Sequence, residues 1–289
     1  MIVPHGRLLG AHVSVAGGIV KALIRGDEIG AEIIQIFSNS PRGWKAQRIS
    51  LGGFENVGEA IRASQTGVSR VVSHASYLIN LATPDRELFV KSAALLAETL
   101  VFAGSVGISS VILHVGSHRG AGFIEQLGQV RDAIAAALEA STEIDLLLEN
   151  SAGAGDSVGS TVEELREILD LFDTDDRLGV CLDTQHLFAA GYDYRTPQGA
   201  ASVADLIGST LPPGAVKCIH LNDSKVSLGA RVDRHENLGE GAIGVDALAE
   251  LLNHPLFIST DVVLETPGTG DGPRRSDVEL ARSFLSRDT

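Results

Sequence analysis

The chain has 289 residues, of which 44% are hydrophobic, so it can form one large domain or two ordinary ones around a sizeable core. Its net charge of −14 argues against a nucleic-acid partner unless local positive charge or bound metal overrides it. No run approaches the roughly 18 uncharged apolar residues of a membrane span, no signal peptide is evident, and Cys181 and Cys218 lie in apolar runs typical of reduced, buried thiols.

Eight short runs of apolar and β-branched residues recur along the chain, and they predict strands buried on both faces. They span 7–14, 32–38, 70–74, 110–116, 145–150, 178–184, 216–222 and 261–266. Helical patterns, with apolar residues three and four apart, separate these strands. The predicted helices are 16–30, 54–66, 85–107, 122–141, 160–172, 199–210, 245–253 and 276–286. Ser160 or Thr161 is the expected N-cap of the fifth helix.

This alternation of eight strands with helices predicts the fold class. Eight near-equal units of about 36 residues (289/8) fit a (β/α)8 TIM barrel, an α/β fold. An open, doubly wound sheet alternates in the same way, but the equal units and the lack of a GxGxxG motif after the first strand favour closure. No low-complexity linker divides the chain, so we expect a single domain over residues 1–289.

Histidines and carboxylates recur at the carboxyl ends of the predicted strands. In a barrel these ends open on one face, where active sites lie. The residues at or just after strand ends are His74, His114, Glu149, Asp183, His186, His220 and Glu265. The loop 231–241, RVDRHENLGEG, adds Asp233 and His235, which an extended backbone would point in the same direction.

A single histidine or carboxylate at a strand end could have a structural role instead of binding a metal ion. An isolated histidine usually forms hydrogen bonds in the core, and Glu149 or Asp183 could serve as an N-cap or a salt-bridge partner. However, burying several unpaired carboxylates at one rim is costly, and nine ligand-type side chains exceed the roughly four ligands of one zinc ion. The pattern therefore predicts two or three metal ions at the C-terminal face of the barrel, with His12 and His118 outside the ligand set.

Eight segments contain or flank these residues: GAHVSVAGG, SHASYLINL, LHVGSH, LENSAGAG, CLDTQHLFAAGYD, HLNDSK, RVDRHENLGEG and LETP. In this order and spacing, they resemble the successive signature segments of the endonuclease IV family, the metal-dependent apurinic/apyrimidinic endonucleases of base-excision repair. The resemblance extends over residues 10–267. Gln185 stands where a cysteine is common in that family, and Ala75 follows His74, but neither departure removes a ligand.

The resemblance implies a TIM barrel with three zinc ions, with manganese or iron as alternatives at one or more sites. Glu149, the implied catalytic residue, would bridge the first ion to the second and orient the attacking water. The other implied ligands fall into three groups: His74 and His114 for the first ion, Asp183, His220 and Glu265 for the second, and His186, Asp233 and His235 for the third.

The implied substrate is double-stranded DNA that contains abasic sites. The expected reaction hydrolyses the phosphodiester 5′ to the lesion and leaves a 3′-hydroxyl, and the enzyme would also remove 3′-blocking groups. Arg42, Tyr77 and Leu78 match the positions that the family inserts into DNA, although ordinary packing under a loop is the alternative for Tyr77 and Leu78. We expect a monomer in the cytoplasm that associates with the nucleoid during repair.

The acidic composition does not exclude this substrate. Three divalent ions and four carboxylates would leave the mouth with a charge of about +2, and the local field governs phosphate capture. Basic residues are expected on loops at the same rim: Arg42, Lys45, Arg48, Lys225, Arg231 and Arg234.

Two other functions are open at this point. A sugar isomerase or epimerase on a similar barrel would bind one manganese ion through Glu149, Asp183, His220 and Glu265 and would not need the other five ligand-type residues. A non-catalytic DNA-binding or metal-storage protein would bind without cleaving. The number of metal ions per chain separates the first alternative from the nuclease, and a cleavage assay separates the second.

Overall fold

The computed structural model describes residues 6–38, 40–44, 49–172 and 175–285. Eight parallel strands close into a barrel, which confirms the predicted fold class. Its strands are β1 (Leu9–His12), β2 (Ile33–Phe37), β3 (Arg70–His74), β4 (Ser110–His114), β5 (Asp145–Glu149), β6 (Leu178–Asp183), β7 (Val216–Leu221) and β10 (Asp261–Leu264). Their order around the barrel is β1-β10-β7-β6-β5-β4-β3-β2.

In the part of the chain that the structure describes, nine α-helices connect and surround these strands. They are α1 (Ile19–Glu28), α2 (Val57–Ser64), α3 (Arg86–Ser105), α4 (Phe123–Ala140), α5 (Val162–Leu169), α6 (Thr184–Ala190), α7 (Pro197–Thr210), α8 (Val245–Leu252) and α9 (Arg275–Phe284). Two short strands, β8 (Asp223–Ser224) and β9 (His235–Glu236), pair antiparallel in the loop that follows β7.

Capping residues determine where several helices begin. The side chain of Asp85 accepts hydrogen bonds from the amides of Glu87 and Leu88 and starts α3. Thr161, rather than Ser160, caps α5. Helix α7 begins two residues earlier than predicted, because Thr196 caps it and Pro197 fits the first helical turn. Helix α6 was not among the predicted helices.

The interior of the barrel is filled by one inward-facing side chain from most of the strands. This layer consists of Ile33, Val72, Ile112, Leu147, Cys181, Cys218 and Val263. Cys181 and Cys218 are register partners on β6 and β7, and both are buried free thiols. A larger core fills the space between the outside of the barrel and the helices. The barrel is therefore a packed scaffold that holds its strand ends rigidly.

Contrary to the expectation that no segment approaches a membrane span, helix α3 is long and apolar enough to cross one by length and composition alone. In this fold it lies in the outer ring of helices, where it contacts α4 and β4. Phe89, Leu96 and Leu100 on its inner face are buried in the core. Its apolar character thus has a structural role in the barrel.

Candidate metal centre

The register of the barrel brings the chemically active strand ends together. His114 on β4 is the partner of Glu149 on β5, and Asp183 on β6 is the partner of His220 on β7. His74 ends β3, next to β4. Because all of these strands are parallel, their last residues lie at the same mouth of the barrel.

The first group of ligand-type side chains contains His74, His114 and Glu149. The Nε2 atoms of His74 and His114 lie 3.1 Å and 3.3 Å from the same oxygen, Oε2 of Glu149. Glu149 is 1% exposed and is therefore almost fully desolvated. The two imidazoles and this carboxylate thus share one small volume.

The second group contains Glu149, Asp183, His220 and Glu265. Its centre is His220, which is completely buried. Nδ1 of His220 lies 2.9 Å from Oε1 of Glu149, 3.3 Å from Oε2 of Glu265 and 3.9 Å from Oδ2 of Asp183. Glu149 therefore uses its two oxygens in two different groups.

The third group contains Asp183, His186 and His235, and Asp233 adjoins it. Nε2 of His186 lies 3.4 Å from Asp233, and Nε2 of His235 lies 3.3 Å from Asp233 and 3.5 Å from Asp183. These two Nε2 atoms are buried and have no hydrogen-bond partner among the residues that the structure describes. Asp183 therefore adjoins both the second and the third group, which the sequence did not predict.

The donor atoms of these groups fit metal ions. Four ligands at about 2.0–2.1 Å from a tetrahedral zinc ion lie about 3.3–3.4 Å from one another. Most of the nitrogen–oxygen separations in the three groups fall between 2.9 Å and 3.5 Å. Buried imidazole nitrogens without partners are costly, so the orphaned atoms of His186 and His235 indicate that this mouth is built to hold cations.

The second ring nitrogen of several histidines is held by an oxygen outside the groups. Nδ1 of His74 lies 2.7 Å from the carbonyl oxygen of Ala75, and Nδ1 of His186 lies 3.0 Å from that of Asn150. Nε2 of His220 lies 2.8 Å from Oε1 of Gln35. A histidine that donates one ring N–H to an oxygen presents its other nitrogen as a ligand. These contacts therefore orient the other ring nitrogen of each histidine towards the carboxylates.

The electrostatics of the mouth favour ionised carboxylates. Burial favours the neutral acid, but the surrounding histidines, chiefly His114 and His220, hold the pKa of Glu149 well below its usual range. Asp233 is still half exposed, and its partial desolvation opposes ionisation, yet contact with His186 lowers its pKa to about 2. Conversely, burial disfavours a charged His186, but the neighbouring carboxylates, first Asp183, raise its pKa to about 10. Without a metal ion, protons on His186 and His220, whose pKa values are raised, therefore balance part of the carboxylate charge.

Buried amides support the ligand-type residues, and sequence reasoning missed them. Oδ1 of Asn150 accepts a hydrogen bond from the amide of Asp183. Nδ2 of Asn222 donates to Oδ2 of Asp183, and its Oδ1 accepts from the amide of Glu265. Both asparagines directly follow a buried strand, and this position is the signal that could have identified them.

A buried carboxylate holds the loop that carries Asp233 and His235. Asp223 is fully buried and accepts hydrogen bonds from the amides of Gly239, Gly241 and Ile243. A Cβ atom at Gly241 would overlap this carboxylate, so only glycine fits there. The contacts bend the loop back over the mouth and place Asp233 and His235 beside His186.

The three residues predicted to enter DNA lie beside the metal-binding groups. Tyr77 is 55% exposed, and its ring stacks on His114 with a centroid distance of 6.1 Å. The amide of Tyr77 donates to the carbonyl of Pro41, so the loop that carries the exposed Arg42 contacts the loop that carries Tyr77 and Leu78. Leu78 is partly buried. The structure thus brings these residues together at the rim.

Two clefts flank Tyr77. One has a volume of about 880 Å³ and is lined by His12, Phe37, His235 and Glu265 among others. The other has a volume of about 470 Å³ and its lining includes Trp44, Leu78, His114, Arg119 and Asp233. Tyr77 lines both clefts, so its ring stands between them above the metal-binding groups.

The basic residues predicted at the rim are only partly described. Lys225, Arg231 and Arg234 are exposed on the loop after β7. Lys45 and Arg48 lie outside the described residues. His12 and His118 were both expected outside the ligand set. His12 contacts Gln35 and lies near Glu265, and His118 accepts a hydrogen bond from the amide of Gly122.

Comparison with known proteins shows which family this chain belongs to. The family model described as a xylose isomerase-like TIM barrel matches residues 25–287. A relative from Methanoculleus marisnigri named "Probable endonuclease 4" is 43% identical over 93% of this chain and 95% of its own length. The chain belongs to the endonuclease IV family. The crystal structure of endonuclease IV from Thermus thermophilus superposes with a TM-score of 0.79 at 34% identity, covering 96% of this chain and 97% of that one.

Another group of solved structures shares only the fold of this endonuclease IV family member. A D-tagatose 3-epimerase-like protein superposes with a TM-score of 0.71 at 18% identity, covering 96% of this chain and 97% of that one. The resemblance inferred from the signature segments is therefore confirmed, and the chain is a nuclease whose barrel mouth contains side chains able to bind metal ions.

Proposed function

We propose that this endonuclease IV family member hydrolyses the phosphodiester 5′ to abasic sites in double-stranded DNA, leaves a 3′-hydroxyl, and also removes 3′-blocking groups. The observation that carries the proposal is the presence of three adjoining groups of ligand-type side chains at the barrel mouth. A single-metal sugar isomerase or epimerase would need only the second group. The first and third groups would then have no function.

The nine residues would hold three zinc ions. His74, His114 and Glu149 would bind the first ion, and Glu149 would bridge to a second ion at His220 and Glu265. Asp183 would complete this second site. The third site would be formed by His186, Asp233 and His235. The oxygens of Asp233 lie 3.4 Å from Nε2 of His186 and 3.3 Å from Nε2 of His235. When bound, divalent ions supply Lewis-acid activation of water and neutralise charge on the scissile phosphate.

Glu149 is the proposed catalytic residue. It contacts histidines of all three groups through its two oxygens, since His186 Nδ1 also lies 3.5 Å away. Its depressed pKa keeps it anionic, so it can hold the ions together and orient the attacking water. Amides of Asn150 and Asn222 fix the adjacent Asp183, so this part of the site is rigid before DNA arrives.

DNA would enter across the two clefts. An abasic site leaves a gap in the base stack, and an aromatic or apolar wedge can occupy it at little unstacking cost. Tyr77 stands between the clefts, and Leu78 and Arg42 lie on the loops beside it. These residues would fill the gap and bring the phosphate to the metal centre.

A cleavage assay tests the proposal. The purified protein should nick a duplex that contains one abasic site, at the 5′ side only, and should leave the intact duplex uncut. A strong chelator should abolish the activity, and added zinc should restore it. No cleavage of the abasic duplex by zinc-loaded protein, together with epimerisation of a ketose, would favour the sugar-epimerase alternative instead.

A further inference from the structure

Gln35 is a buried amide in the middle of β2 whose side chain reaches the metal-binding groups. It is 0% exposed. Its Oε1 lies 2.8 Å from Nε2 of His220, and its Nε2 lies 2.5 Å from Oε1 of Glu265 and 2.9 Å from Nδ1 of His12. A single amide thus contacts two side chains of the second group at once.

The chemistry of these contacts fixes the orientation of the amide. The carboxylate of Glu265 can only accept a hydrogen bond, so the amide nitrogen must face it. The amide oxygen then faces His220 and accepts the proton on Nε2. A singly protonated His220 therefore keeps its proton on Nε2, which leaves Nδ1 as the nitrogen that can bind a metal ion. That Nδ1 is the atom that lies 2.9 Å from Glu149 and 3.3 Å from Glu265.

We propose that Gln35 is a positioning residue that sets the tautomer of His220 and the orientation of Glu265, and so determines how tightly the second metal ion is held. The proposal rests on the proposed metal centre. The same two hydrogen bonds that hold the imidazole and the carboxylate 3.3 Å apart also prevent them from rotating away from an ion. His12 accepts from the remaining N–H of the amide and keeps it in place.

No other neutral side chain of this length supplies both an acceptor and two donors. A hydrophobic residue would leave the buried Nε2 of His220 and one oxygen of Glu265 without partners. A shorter amide could satisfy one of these contacts but would not span both. This requirement explains why a polar residue occupies an otherwise apolar strand, IIQIF.

The test is the release of metal ions from zinc-loaded protein at increasing chelator concentration. Gln35→Met retains the shape of the side chain without its hydrogen bonds, and Gln35→Asn retains an amide that is one methylene shorter. The loss of such an outer contact typically lowers metal affinity 10- to 100-fold. We therefore expect one ion per chain to be released at a 10- to 100-fold lower chelator concentration from Gln35→Met, while the other two are retained. Gln35→Asn should shift release of the same ion in the same direction.

Gln129→Met is the matched control. The Gln129 amide donates to the carbonyl oxygens of Leu81 and Thr83, and neither of these acceptors belongs to a ligand-type residue. Its removal should leave the release of all three ions unchanged. Cobalt-substituted protein supplies a second readout, because the visible absorption of one site should change in Gln35→Met and not in Gln129→Met.

The possible results separate this proposal from the proposed function. Release within about twofold of wild type for both Gln35 variants, from a wild-type protein that holds three ions, would overturn the role of Gln35 alone. A wild-type protein that holds fewer than three ions would instead contradict the proposed metal centre. Equal weakening of all three ions in Gln35→Met would show a general structural role and would also overturn the proposal.

Discussion

Replacing Glu149 with glutamine changes one atom at the point where the three groups meet. The side chain keeps its shape, but it loses its charge and retains one oxygen in place of two. In the structure, one oxygen of Glu149 lies 3.1 Å from His74 and 3.3 Å from His114, and the other lies 2.9 Å from His220. Glutamine can therefore serve one group but not both.

The size of the effect follows from the burial of this carboxylate. Removing one partner of a buried pair of charges costs about 3–5 kcal/mol. Since about 1.4 kcal/mol corresponds to a tenfold change in rate, the loss corresponds to a kcat lower by about 10²- to 10⁴-fold if it is expressed in the transition state. The abasic duplex should still bind, because Arg42, Tyr77 and Leu78 are unchanged.

Single-turnover cleavage of a labelled abasic duplex measures the rate, and fluorescence anisotropy measures binding. Glu87→Gln is the control, because Glu87 is exposed on α3 and forms its ion pair with Lys91, away from the barrel mouth. It should cleave at the wild-type rate. Turnover by Glu149→Gln within about threefold of wild type would refute the assignment of Glu149 as the bridging, catalytic carboxylate.

Three further predictions concern the rim, the loop after β7 and the protons of the site. Arg42→Ala and Tyr77→Ala should each weaken the preference for abasic over intact duplex, measured by competition anisotropy. For Tyr77→Ala the loss should be about 5- to 150-fold, because aromatic stacking contributes about 1–3 kcal/mol. Unchanged discrimination at unchanged metal content would exclude insertion of these side chains into the DNA. Asp223→Ala should lower the free energy of unfolding by at least about 2 kcal/mol in urea titrations, because the loop amides, among them the buried amide of Ile243, lose their acceptor. A change below about 0.5 kcal/mol would contradict its anchoring role. Zinc binding at pH 7 to protein stripped of metal should release protons, because a pKa of about 10 keeps His186 protonated until an ion displaces the proton. The apparent zinc affinity should therefore rise with pH up to about 10. Calorimetry in buffers of different ionisation enthalpy counts these protons, and a count of zero would contradict the assignment of His186.

Much of the fold could be predicted because its signals are local. Each strand of the barrel lies within a predicted apolar run, and parallel strands must end at one face, so His74, His114 and Glu149 could be placed together from the sequence alone. Helix α6 escaped prediction because it has only seven residues, and its apolar residues continue the pattern of β6.

Contacts between distant strands could not be read from the sequence. Asp183 was expected either as a metal ligand or as an N-cap, but its oxygens cap α6 and also face His220 and His235. Gln35 gave no signal, because a single amide in a strand has many common roles and its partner Glu265 is 230 residues away. Such relations depend on barrel closure and register, which no local pattern contains.

The number and positions of bound metal ions test the central claim most directly. Elemental analysis should give about three zinc ions per chain, and anomalous diffraction at the zinc edge should give three peaks within the barrel mouth. One peak should lie by His74 and His114, one by His220 and Glu265, and one by His186 and His235. A single ion per chain, or peaks away from these side chains, would contradict the trinuclear site and the nuclease mechanism built on it.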